Sequence, residues 1–136
     1  MKCESNFYLT SDRLLDIEFL FVDMGRSTGW RAYILTNIDY KMCYFLRSDS
    51  CTVVHRLTEH DSGMTEKINR FIRESRGTNE AMRTIQYICW NKPIHSLSDM
   101  KTVAKTWSEI TAYYIRHGGS FETIQPVLRE RGIISI

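Results

Sequence analysis

Between residues 97 and 117 apolar side chains recur at steps of three and four: Met100, Val103, Ala104, Trp107, Thr111, Tyr114 and Ile115. That period is the stripe of an α-helix with one face turned to a core. Ser96 with Asp99 three residues later resembles a capping box, with Asp in place of the usual Glu. Gly118-Gly119 supplies the left-handed stop. At ~1.5 Å per residue the helix is about 30 Å long, the width of a small domain. The rest of the chain must therefore offer an apolar surface of that length. A shorter helix is expected near 123–131, with Pro126 in its first turn, Val127 and Leu128 inward and Gly132 at its end. The apolar segment Ile133–Ile136 is expected to dock or to add a strand.

The first half reads as strands. Residues 15–23 alternate Ile17, Phe19 and Phe21 with Asp16 and Glu18, then turn apolar on both faces, so Asp16 and Glu18 read as the solvent side of a half-exposed strand. After the break Gly25-Arg26-Ser27-Thr28-Gly29, strands are expected over 30–36, 40–46 and 51–57 as an antiparallel meander. A further strand, Thr84–Trp90, follows a polar and charged stretch over 59–83. Within that stretch Met64, Ile68, Phe71 and Ile72 fall at helical spacing, and the mixed charges read as a solvated face. The expected fold is α+β: an N-terminal antiparallel sheet of about five strands, a short helical excursion at 59–83 before the last strand, and two C-terminal helices.

A chain of 136 residues with 43% hydrophobic and 25% charged residues fits one globular domain over 1–136. A formal net charge of +2 argues against a general polyanion coat, which disfavours nucleic acid as a partner. No apolar run is long enough to span a membrane, and the first residues lack the apolar core of a secretory signal. Cys3, Cys43, Cys51 and Cys89 are scattered, with no Cys-x-x-Cys, which suits a reducing cytoplasm better than a disulfide framework.

Catalytic signatures are thin. Cys89 precedes His95 by six residues but sits in an apolar strand, where a buried inert thiol is expected. His55 and His60 lack the neighbours of a zinc site, so no metal, cofactor or catalytic residue is assigned. Binding chemistry is better represented. Ser27 and Thr28 offer hydroxyls in a glycine-flanked loop whose N–H groups can converge, and Arg26 and Arg31 offer forks for phosphate. Arg56, with Trp90 and Asn91 near Lys92, combines charge, a stacking face and an amide. On the long helix Tyr113 falls off the apolar stripe beside Arg116 and His117, an exposed aromatic suited to a ligand or an interface. The breadth of the stripe suggests a homo-oligomer formed through the C-terminal helices.

At Arg26-Ser27-Thr28-Gly29-Trp30-Arg31-Ala32-Tyr33-Ile34, His55-Arg56-Leu57, Ile88-Cys89-Trp90 and Val103-Ala104-Lys105-Thr106-Trp107 the chain resembles small proteins of Firmicute phages and mobile elements. The order of parts, a sheet followed by two helices, is similar to the Thoeris anti-defence sponge proteins of phages. That resemblance implies a non-catalytic protein that captures a cyclic nucleotide, chiefly a cyclic ADP-ribose isomer, and starves a bacterial immune effector. It also implies assembly through the helices. The site residues named above rest on side-chain chemistry instead. The other expectations are a protein–protein inhibitor or accessory factor of a mobile element, then a small hydrolase.

Overall fold

The computed structural model describes residues 2–43, 57–76 and 84–136. Its elements are β1 (Cys3–Leu9), β2 (Asp16–Asp23), β3 (Trp30–Ile34), β4 (Thr58–His60), α1 (Ser62–Arg76), β5 (Gln86–Ile88), α2 (Leu97–His117) and α3 (Phe121–Glu130). The strands form one five-stranded sheet in the order β1-β2-β3-β5-β4, and every pairing in it is antiparallel. The fold is α+β, with a helix inserted before the last strand and two helices after it.

β2 is buried along nearly its whole length because both faces of the sheet are covered. On one face Ile17, Phe19 and Phe21 of β2 join Ala32 and Ile34 of β3 against Met100, Val103 and Trp107 of α2. Trp107 meets Phe19 edge to face at 6.2 Å between ring centroids. On the other face Leu20, Val22 and Tyr33 pack with Met64, Ile68 and Ile72 of α1. The helical excursion is therefore a second cover for the sheet, with its charges on the outer side. That cover also corrects the reading of Glu18, which is buried at 6% exposure and not on a solvent face.

Strand membership differs from the sequence expectation in several places. β1, absent from that expectation, is a hairpin partner of β2 with Cys3 opposite Val22 and Leu9 opposite Asp16. Residues 40–43 form a turn, in which the Asp39 carboxylate accepts the Lys41 N–H at 2.9 Å. The remaining positions of the expected strands, 44–46 and 51–56, lie outside the described residues. Glu59 and His60, read as the polar start of the excursion, belong to edge strand β4.

α2 keeps the expected limits, and the Ser96 hydroxyl accepts the Asp99 N–H at 3.1 Å. Glu109, which is not among the apolar positions of the stripe, is nonetheless only 4% exposed. Its carboxylate accepts the Tyr8 hydroxyl at 2.6 Å and the Ser11 amide at 2.9 Å, because the β1–β2 hairpin folds over the helix. α3 starts earlier than expected, at a capping box of Ser120 and Thr123, so Pro126 lies in its second turn. Ile134 docks into the core and adds no strand.

Gly29 joins the β2–β3 loop to the segment before α2. It forms a parallel bridge with Ile94, and the Trp30 N–H donates to the Ile94 carbonyl at 2.7 Å. Its φ is +76°, and a Cβ there would stand 2.4 Å from the Ile94 oxygen. Gly25 also has positive φ, +101°, but its Cβ would meet nothing within 4 Å. Gly29→Ala should thus cost about 2–4 kcal/mol, whereas Gly25→Ala should cost only the backbone strain of about 1–2 kcal/mol. Urea unfolding of the two variants checks this, and equal losses would contradict it.

Candidate functional site

The Gly29–Ile94 clamp brings the β2–β3 loop beside the segment that leaves β5. Between them lies a pocket of about 290 Å³, at the small end of ligand sites. Trp30, Tyr87 and Trp90 give it aromatic walls, Ile88, Ile94 and Met100 an apolar lining, and Thr28 and Asn91 polar groups. Arg31, Lys92 and Cys89 also line it.

Arg31 is held by its neighbours. Its Nη1 donates to Asp61 Oδ2 at 3.0 Å, and its guanidinium lies 4.2 Å from the Tyr87 ring centroid. Asp61 Oδ2 also accepts the Tyr33 hydroxyl at 2.7 Å, and Oδ1 accepts the Met64 amide at 3.2 Å as the cap of α1. Burial first, then the bond to Asp61, pushes the Tyr33 phenol well above its ordinary pKa. The Arg31 charge is therefore matched inside the protein, leaving Lys92 as the cation at the pocket with no ion-pair partner among the described residues.

The expected site residues divide. Thr28, Arg31, Trp90 and Asn91 line this one pocket. Arg26 and Ser27 are exposed in the adjoining loop and are not part of its lining. Two of the loop amides are engaged within it: the Gly25 N–H goes to Asp23 Oδ1 at 3.0 Å and the Gly29 N–H to the Gly25 carbonyl at 2.7 Å. Tyr113 and Arg116 are 13 and 16 positions past Met100 on α2, about 20 and 24 Å along its axis. Tyr113 is half-buried against His117, 4.5 Å between ring centroids, and is not the exposed aromatic expected. Arg116 donates to Asp12 Oδ2 at 2.8 Å in the β1–β2 turn. Arg56 lies outside the described residues.

Trp30 and Tyr87 were missed by sequence reasoning, although strand alternation carries a signal for Tyr87. It puts Tyr87 on the side of Ile85, where Arg31 and Tyr33 also project. Trp90 is half-buried, its ring edge-on to Phe121 at 6.0 Å.

Cys89 donates its S–H to Glu59 Oε1 at 3.5 Å, and Glu59 Oε2 accepts the Tyr87 hydroxyl at 2.9 Å. Burial, then the adjacent Glu59, pushes the Cys89 thiol above its ordinary pKa. Both effects disfavour the thiolate that a nucleophile requires. Among the described residues no three His, Cys, Asp or Glu side chains are grouped to hold a metal ion. No helix among them is long and apolar enough to cross a membrane.

Comparison of the chain with protein-family models, with curated proteins and with solved structures found no match.

The Glu59 contact predicts the behaviour of the thiol. Alkylation of Cys89, followed by peptide mass spectrometry from neutral to alkaline pH, should titrate above an ordinary cysteine. Glu59→Gln should move the midpoint down by removing a negative neighbour. A midpoint at or below that of a free thiol would contradict the assignment.

Proposed function

We propose that this chain is a non-catalytic binding protein that sequesters a signalling nucleotide in the pocket beside Trp90. The observation that carries this reading is the meeting, in one concavity, of aromatic walls with Asn91 and Lys92. An aromatic wall accepts a base, an amide can read its edge, and a lysine ammonium at the rim attracts a phosphate. With Arg31 matched by Asp61, the phosphate belongs at Lys92, outside the aromatic part of the pocket.

The resemblance to phage sponge proteins supplies a use for such a pocket. Capture of a cyclic ADP-ribose isomer or a cyclic oligonucleotide would deprive a bacterial immune effector of its signal. A pocket of about 290 Å³ takes a nucleoside-sized part of such a molecule, with the remainder outside.

Titration calorimetry against cyclic ADP-ribose isomers and cyclic oligonucleotides tests the proposal, with mass spectrometry of the recovered ligand. One of these ligands should bind and return intact. Trp90→Ala should then weaken binding by about 1–3 kcal/mol, roughly 5- to 150-fold, through loss of the stacking surface. Lys92→Ala should weaken it less and reduce its salt dependence, while Arg116→Ala should leave affinity unchanged. No binding to any of them, or recovery of a converted product, would overturn the proposal.

A further inference from the structure

The two edges of the sheet are unlike. β4 has three residues, including Glu59 and His60, the short charged form that discourages pairing with another chain. β1 has seven residues, neither proline nor glycine among them, and six of the seven are exposed. Phe7 and Leu9 on it are 67% and 43% exposed and, with Met42, are the exposed large hydrophobic residues among those described. Among the described residues α2 and α3 contribute none of these, so the exposed large apolar side chains concentrate on the strand.

The backbone of β1 is equally one-sided. Lys2 O accepts the Asp23 N–H at 2.9 Å, and the Thr10 N–H donates to Leu15 O at 2.9 Å. Continued through the hairpin register, these bonds turn the backbone groups of the even-numbered residues toward β2. The N–H and C=O groups of Cys3, Ser5, Phe7 and Leu9 consequently point outward from the sheet edge. The charge of Glu4, which would guard the edge, is drawn onto α2 by Lys101.

We propose that β1 pairs antiparallel with β1 of a second copy of this chain, about a two-fold axis at Asn6. In that register Cys3 faces Leu9 of the second copy and Ser5 faces its Phe7, so all four outward-pointing residues exchange backbone bonds. Asn6 faces Asn6, and Glu4 faces Tyr8, so no like charges oppose. The two Phe7 rings become diagonal neighbours, within reach of each other on one face. A shift by one residue sets outward groups against inward ones, and a shift by two leaves an outward residue at one end without its partner. The two sheets become one of ten strands. This pairing is independent of the pocket.

Analytical ultracentrifugation of the full chain at high micromolar concentration should show a dimer. Phe7→Lys, on an exposed side chain, should weaken it by at least about tenfold without changing the circular dichroism of the fold. A non-hydrogen-bonded antiparallel pair has Cα atoms about 4.5 Å apart, within disulfide range. In a Cys3→Ser background, Asn6→Cys should therefore form a disulfide-linked dimer on oxidation and Glu4→Cys should not. A monomer at that concentration would overturn the proposal. So would a dimer unaffected by Phe7→Lys, or one cross-linked as readily through Glu4→Cys as through Asn6→Cys.

Discussion

One carboxylate ties the second cover of the sheet to the site. Asp61 caps α1 through Oδ1, holds Arg31 and Tyr33 through Oδ2, and donates its own N–H to the Ile85 carbonyl at 2.9 Å. Its carbonyl accepts the Thr65 hydroxyl at 2.8 Å, and that hydroxyl accepts the Ile85 N–H at 3.1 Å. Helix start and central strand β3 therefore meet at the Asp61 carboxylate, and the residue entering β5 is tied to the same residue through its backbone. A charged acceptor with several donors is among the stronger polar arrangements a partly buried site can hold. Met64, Ile68 and Ile72 supply the apolar part of the same contact.

The arrangement also sets the electrostatics of the pocket. A guanidinium matched by a carboxylate and lying over Tyr87 is a rigid wall more than a free anion receptor. Among the described residues Lys92 is the cation at the pocket without an ion-pair partner, and it is carried by the segment that Gly29 clamps at Ile94. A net charge of +2 is thus compatible with an anion site, because the charges that matter are placed and not summed.

The helices were legible because their signals are local. α2 was bounded from its stripe and caps, and Met64, Ile68 and Ile72 announced the buried side of α1. What lay beyond sequence reading was what those elements met. β1, Cys-Glu-Ser-Asn-Phe-Tyr-Leu, shows no apolar alternation because an exposed edge strand needs none; only pairing to β2 defines it. The burial of Glu109 has no local signal, because its donors, Tyr8 and Ser11, are about a hundred positions away. Arg116 looked free for the same reason, its partner being Asp12. Of the candidate site, Trp90 and Asn91 were readable as neighbours, and Thr28 and Arg31 as members of one loop and strand. That the two pairs share a pocket depends on the Gly29–Ile94 contact, which no local pattern encodes.

Hydrogen exchange of Asp61→Asn tests the central role of this carboxylate most directly. Asn retains the shape and an acceptor for the helix cap but removes the charge beside Arg31. Amides of α1 and of the β4–β5 pair should exchange on the order of tenfold faster, as expected for the loss of about 1.4 kcal/mol in local opening, while α2 keeps its protection. Unchanged exchange in α1, or an equal acceleration throughout α2, would contradict the account.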